Sequence, residues 1–396
     1  MSLDEVIRVA ARGDGITAAG RHVALAAPGD LVAPDGSLTP GPHHQVPPCR
    51  HFPECGGCQL QHLDDAAWSG FIADRVRTAL AAQGLETEIR APLLSPPNTR
   101  RRATLHAERR GRQVHLGFTE PASHRLIDLM ECHVLDPGLF ALLAPLRGLL
   151  AALMPESRRI NVHLARVDQG VDVLIDGLEA EGLAAAEAIT AFALRHGLAR
   201  FSLDEGLGPT ARWEPDPVTV TLGGVAVPFP PASFLQATPE GEAALVAAAR
   251  EAVGDAATIA DLFAGLGTFT FAFPHAKVFA AEAARDAILS LKAAAGGAGR
   301  AVFADHRDLF RRPVPTADLN RFAAVILDPP RAGAREQVAE LAGSVVPSIA
   351  YISCNPSTFA RDAETLSKGG YRLDWVQPVG QFRWSTHVEL AARFSR

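Results

Sequence analysis

The sequence predicts an α/β protein whose C-terminal part, residues 236–396, folds as a doubly wound parallel sheet. Three observations predict it. Short apolar, β-branched runs (TIADLF, KVFAAE, RAVFA, AAVILD, IAYISC) alternate with helical stretches (RDAILSLKAAA, REQVAELAG, STFARDAETLSKG). That alternation is the pattern of strands buried on both faces and joined by crossover helices. A glycine turn, AGLG, follows the first of these strands directly, at the edge where such sheets bind ligands. The proline-rich stretch PFPPASFLQATP then marks the start of the unit, because an alanine-rich helix over about 238–253 follows it. The strands YRLDWVQ and HVELAARF close the chain.

The upstream elements read differently. Residues 1–45 are glycine-punctuated β-like runs, predicting two or three strands joined by tight turns and hence a small β segment. PGPHHQVPP, residues 40–48, is a linker that neither a helix nor a central strand could contain. An amphipathic helix is expected from Asp64 to about Gln83, with further helices near 137–153 and 179–196. Strand-like runs (VHLGF, RLIDLM, NVHLARV, VDVLI) separate them, so residues 46–235 are expected to form an α+β central unit.

Composition bounds the function. The chain has 396 residues, 47% hydrophobic and 21% charged, too apolar for a disordered protein. Its net charge of −6 leaves any nucleic-acid contact to local basic surface. No run approaches the ~18 apolar residues of a membrane span. MSLDEVIRVA has acids where an export signal has a basic region, and five cysteines is an odd number, so a reducing cytoplasmic setting is expected.

Six constellations carry chemistry. Cys49, Cys55 and Cys58 cluster in CRHFPECGGC, and Cys132 in LMECHV completes a four-thiolate set. Zinc and an iron–sulfur cluster both fit by ligand count, and three unligated loop cysteines are the plain alternative. In DLFAGLGTF, Gly265 and Gly267 let a ligand approach the backbone, and Glu282 ends the next strand where an acid can accept both hydroxyls of a ribose. The turn lacks the third glycine that a dinucleotide favours, so adenosine without a pyrophosphate, as in S-adenosylmethionine, fits better. Asp328-Pro329-Pro330-Arg331 ends the fourth strand over the same cleft, with a rigid turn that aims the carboxylate or merely ends the strand. Cys354 in SCNP ends the fifth strand as a candidate nucleophile, or as a small buried hydrophobe. Glu389 in THVEL is an outward surface residue or a base with a raised pKa. Arg100, Arg101, Arg102, Arg109, Arg110 and Arg112 are either a solvated face or a phosphate-tracking patch.

Together these motifs resemble the uracil-C5 RNA methyltransferase family over essentially the whole chain. CRHFPECGGCQLQHL is similar to that family's iron–sulfur segment, and SFLQ, DLFAGLGTFTF, LDPPRAG, YISCNPSTFARD and THVEL follow in the family's order. The first 45 residues resemble a shortened TRAM domain, a small RNA-binding β-barrel. The resemblance implies a class I methyltransferase fold for the C-terminal unit. It further implies Cys354 as nucleophile and Glu389 as base, with Gln236, Phe263, Gly265, Glu282, Asp308 and Asp328 about the S-adenosylmethionine cleft. Cys49, Cys55, Cys58 and Cys132 would hold a [4Fe–4S] cluster, remote in sequence from the catalytic strands. The implied partner is RNA, 23S rRNA ahead of tRNA, with a monomeric cytoplasmic enzyme and no membrane. The sequence departs from the family at Thr268, at Phe382-Arg383 and at Gly380. An amino-methyltransferase would need an aromatic residue after the prolines, where Arg331 stands. A catalytically inactive iron–sulfur RNA-binding module would not need Gln236, Asp328, Cys354 and Glu389 together. Nucleophilic chemistry further leads to the expectation that positive charge or donors lower the Cys354 pKa.

Overall fold

The computed structural model describes residues 3–396; Met1 and Ser2, the first residues of the N-terminal segment, lie outside the described residues. That segment forms five short antiparallel strands, in the spatial order His22–Val23, Gly15–Thr17, Asp4–Val9, Leu31–Val32, Leu38–Thr39. It has two more strands than expected at most, because two-residue pairings are too short to leave a period in the sequence. Its two edge strands do not pair with each other, so the sheet is open.

The central unit is a seven-stranded sheet from Arg102–Arg110 to Pro209–Trp213, antiparallel except where Gly170–Asp176 pairs parallel with Leu198–Asp204. The helix Leu183–His196 makes that crossover, and it covers one face together with Pro137–Leu153. Leu105, Leu116, Val162, Val173 and Phe201 alternate inward beneath Leu139, Leu143, Leu146 and Leu150 to form the core. Alternation on the strands and 3.6-residue spacing on the helix are what bring these side chains together. A hairpin, Thr219–Leu222 with Val225–Pro228, turns on Gly223 and Gly224, both at positive φ.

The catalytic sheet has nine strands. The parallel set runs Val302–His306, Lys277–Glu282, Thr258–Leu262, Ala324–Leu327, Ser348–Ser353, and then Glu389–Ser395 and Arg372–Gly380 add antiparallel pairings. Glu88–Ile89 and Leu93–Leu94 extend it by pairing parallel to Arg372–Gly380. The helix Asp65–Ala81, capped by Asp64 through the Ala67 N–H at 2.7 Å, buries Trp68, Phe71, Ile72 and Val76 in the catalytic core. Residues 65–94, expected in the central unit, thus complete the catalytic sheet, because an apolar helix face needs a partner and the sheet edge supplies one. Gly380 has its reason here: a Cβ would lie 2.8 Å from Ile72, 2.9 Å from Leu94 and 3.1 Å from Trp68. No helix among the described residues is long and apolar enough to cross a membrane.

Candidate active site

Strand register assembles the site at the carboxyl ends of the parallel strands. Ser353 pairs with Leu390 in the antiparallel ladder, so Cys354 and Glu389 stand side by side although 35 positions separate them in sequence. Leu262, Leu327 and Tyr351 share rows of the parallel pairing, which brings Phe263, Asp328 and Cys354 to one rim.

Four carboxylates gather there. Glu389 is 7% exposed, and burial pushes it up to about 7 against the opposing pull of a Gln381 hydrogen bond and the Arg102 charge. Asp261 is fully buried and burial raises it to about 7; Thr270 Oγ1 donates to its Oδ2, while its Oδ1 has no partner. Burial, and then Glu389, Asp261 and Glu282, hold Asp328 well above the carboxylate range. Glu282 accepts from the Gly265 N–H at 2.9 Å and the Ala284 N–H at 2.7 Å, which fixes the glycine turn against the second strand. A field of this sign suits a cationic ligand.

The turn itself is strained in a defined way. Phe263 holds φ +66°, and its ring lies 5.6 Å from that of Phe310. A left-handed non-glycine residue costs energy that the surroundings must supply, and such positions cluster at ligand sites. Gly267, at φ +97°, has no room for a side chain: a Cβ would lie 2.7 Å from Phe271. Asp308 Oδ1 accepts from the N–H of Phe310 at 3.0 Å, so this acid also orders the loop that presents Phe310.

Cys354 departs from expectation. Burial, with Glu389 and Asp328 adding, pushes its thiol up to about 11, and Arg331 only partly offsets this. The cause is tertiary: the register that supplies a base also surrounds the sulfur with acids. The arginine patch is likewise corrected in part. Arg101 pairs with Glu242 and donates to the Gln236 carbonyl, and Arg102 donates to the Leu235 carbonyl beneath the Phe234 ring. Arg100 is wedged between the Phe118 and Phe382 rings, beside the cysteines. These three act as braces, because the segment leading into the strand Arg102–Arg110 packs against residues 235–242 and Phe382 of the C-terminal unit. Of the rest, Arg109 donates to the Met154 carbonyl and Arg110 grips Glu108 at 3.0 Å, so Arg112 is the one left facing water without an ion pair among the described residues.

One residue escaped sequence reasoning. Gln381 is 2% exposed and donates to Gln236 Oε1 at 2.8 Å, while Gln236 Nε2 reaches Asp328 at 3.5 Å. Arg102, a member of the arginine cluster, is half-buried, and burial followed by the Arg100 charge lowers it to about 10, with Glu389 opposing. Gln381 lies in no pattern whose period or spacing would mark it.

All five cysteines are free, and Cys49, Cys55, Cys58 and Cys132 line one enclosed pocket. Burial raises all four thiols, Cys55 to about 11 and Cys58 to about 12, and each of Cys49, Cys55 and Cys58 also feels its neighbours' charge. Three buried thiols and the half-buried Cys132 around one pocket make a soft donor set. Cys49, His51 and Glu131 also bring ligand atoms within 4.8 Å of one another. The pocket is not remote from the catalytic strands. The N–H groups of Gln59 and Leu60 both donate to the Trp384 carbonyl at 2.8 Å, in the loop between Gln381 and Glu389.

The tRNA (uracil-5-)-methyltransferase family model matches residues 300–396. An uncharacterized RNA methyltransferase of Zymomonas mobilis is 48% identical over 100% of both chains. A 23S rRNA (uracil(1939)-C(5))-methyltransferase of Pectobacterium atrosepticum is 29% identical over 90% of this chain and 81% of that one. The crystal structure of Pyrococcus abyssi tRNA (uracil-54, C5)-methyltransferase with S-adenosyl-L-homocysteine superposes at TM-score 0.75 and 21% identity, covering 99% of this chain and 100% of that chain. Similarity running end to end, over a sheet of this topology with this cleft, places the chain in the S-adenosylmethionine-dependent RNA uracil-C5 methyltransferase family.

Proposed function

We propose that the protein methylates C5 of one uridine in 23S rRNA through a covalent bond between Cys354 and uracil C6. The observation that carries the reading is the ladder register that sets the Cys354 thiol beside the Glu389 carboxyl in a buried, carboxylate-lined cleft. S-adenosylmethionine, when bound, supplies an electrophilic methyl group on a positively charged sulfur. Phe263, Gly265, Glu282 and Asp308 would hold its adenosine end. Asp261, with a buried unpartnered oxygen, would face its charged end.

Uracil C5 is a weak nucleophile until C6 is saturated. Cys354 passes its proton to Glu389, whose affinity near pH 7 suits both taking and releasing one. The sulfur adds to C6 and the ring electrons move toward O4. Asp328, kept protonated by burial among acids, is an O–H donor for that developing charge. Gln236, whose amide nitrogen lies 3.5 Å from Asp328, would help align the methyl donor. Once C5 has gained the methyl group, Glu389, its first proton lost to solvent, removes the C5 proton. The C5=C6 bond re-forms and the Cys354 sulfur leaves.

Cys49, Cys55, Cys58 and Cys132 would hold a [4Fe–4S] cluster, a reading supported by four free thiols lining one pocket, three of them buried. The rRNA target is supported by the Pectobacterium relative, whose similarity covers 90% of this chain. Mapping 5-methyluridine in the rRNA and tRNA of a deletion strain tests the target. Loss of one rRNA site upholds the reading, and loss confined to tRNA replaces it.

A further inference from the structure

The crossover between Lys277–Glu282 and Val302–His306 carries the 13-residue helix Arg285–Gly297. The next crossover, to Ala324–Leu327, carries only the four-residue helix Thr316–Leu319. One face of the two outer strands is therefore bare. Phe279 and Phe303 are register partners on it, with ring centroids 5.9 Å apart and planes within 12°. Phe322 lies 5.8 Å from Phe279, and Phe303 is 68% exposed. The rings floor an open groove of about 780 Å³. Lys277, Arg300, Arg307 and Arg321 line it against one acid, Asp318. Arg307 is held by Asp305 at 2.7 Å and Arg321 lies 3.7 Å from Asp318, while Lys277 and Arg300 pair with no carboxylate among the described residues.

We infer that this groove is a second RNA-binding site, in which bases of a single-stranded segment flanking the target uridine stack on Phe303 and its neighbours while Lys277 and Arg300 hold the phosphates. The inference rests on RNA being the substrate. Aromatic platforms rimmed by cations are the physical requirement for sequence-tolerant single-strand binding. The same strands end at Glu282 and His306 beside the cleft, so a strand leaving the site can follow the sheet edge into the groove.

The test uses the full chain with two probes, a five-nucleotide oligouridylate carrying 5-fluorouridine and a labelled twenty-nucleotide oligouridylate. Phe303→Ala should weaken binding of the long probe about tenfold while the short probe is trapped as adduct at the wild-type yield. Lys277→Glu with Arg300→Glu should weaken it further and flatten the slope of log affinity against log salt by roughly 0.7 for each phosphate no longer neutralised. Unchanged affinity for the long probe in both variants overturns the proposal. So does a wild-type dimer that Phe303→Ala converts to monomer with RNA binding intact, which would make the occupant a second copy. Wild-type protein that neither binds the long probe nor traps the short one removes the RNA reading itself, and this groove with it.

Discussion

Gln381 and Gln236 meet amide to amide: Nε2 of Gln381 donates to Oε1 of Gln236 at 2.8 Å, and Oε1 of Gln381 accepts the Ala237 N–H at 2.9 Å. The contact joins residues 145 positions apart and turns the Gln236 amide nitrogen toward Asp328. Gln381 also supports the charged form of Glu389, so one buried amide organises two groups of the cleft.

Replacing it should therefore be costly in a particular way. Gln381→Leu leaves Gln236 and Glu389 short of a partner, and we expect kcat to fall by about 10- to 100-fold with a stability loss of about 1–3 kcal/mol. Removing a donor to the Glu389 carboxylate raises its pKa further. The step that needs ionised Glu389 speeds up as pH rises through about 7, so in the variant that limb should move to higher pH. A kcat–pH profile with an unmoved limb would show that Gln381 does not act on Glu389.

Cys354 and Glu389 should fail differently. Cys354→Ala removes the attacking sulfur and should abolish both turnover and adduct with 5-fluorouracil RNA. Glu389→Gln retains the hydrogen-bonding shape but cannot take the C5 proton. Methylated RNA should then stay bound to the protein on a denaturing gel. Normal turnover by either variant is incompatible with the assigned roles.

The buried acids also give stability a pH dependence. Asp261 and Glu389 ionise near 7 when folded and near 4 when unfolded. Between those values the folded chain binds more protons than the unfolded one, so stability is greatest below about pH 4.5 from these groups and falls as pH rises through about 7. Asp261→Asn keeps the acceptor for Thr270 and removes the charge. Melting scans at pH 5.5 and 8 should show the variant losing less stability than wild type across the interval, by on the order of 1–4 kcal/mol. Equal pH sensitivity of the two proteins would contradict the raised Asp261 value.

Gly267 cannot carry a methyl group. Its φ of +97° is hostile to any side chain, and Phe271 occupies the space. Gly267→Ala should cost about 2 kcal/mol or more and weaken S-adenosylmethionine binding in calorimetry, since the turn would have to open. Gly265, with open space around its Cβ position, should tolerate alanine better than Gly267 does.

The cysteine pocket should report to the catalytic loop. Protein purified anaerobically is expected to be brown with about four irons per chain. Cys55→Ser should lose the iron and, because Gln59 and Leu60 hold the Trp384 carbonyl, should also raise amide exchange across residues 381–388. One zinc in a colourless protein would replace the cluster with a structural metal. Unchanged exchange would uncouple the pocket from the site.

Much of this architecture is legible in the sequence. The beat of apolar strands and helices set the parallel sheet, since burial on both faces demands that composition. Helices expected at 137–153 and from about 238 to 253 stand at Pro137–Leu153 and Pro239–Val253, where prolines enter the first turn and Asp136 and Thr238 cap it. The residues around the glycine turn, the Asp-Pro-Pro-Arg turn and the lone cysteine sit at strand ends, and strand ends are readable from sequence.

What sequence by itself determined, then, was which residues end strands and which types of chemistry they bring, because propensity, periodicity and turn geometry are local properties. Only the tertiary structure decided who meets whom. The fold buried Cys354, and the ladder register put Glu389 beside it, so burial first and then that charge raised the thiol. The docking of helix Asp65–Ala81 made residues 65–94 part of the catalytic sheet and left room for nothing but glycine at 380, while contacts with residues 234–242, Phe118 and Phe382 turned Arg100, Arg101 and Arg102 from a candidate surface into braces. Electrostatics and packing sum over neighbours from every part of the chain, and those neighbours exist only once it has folded.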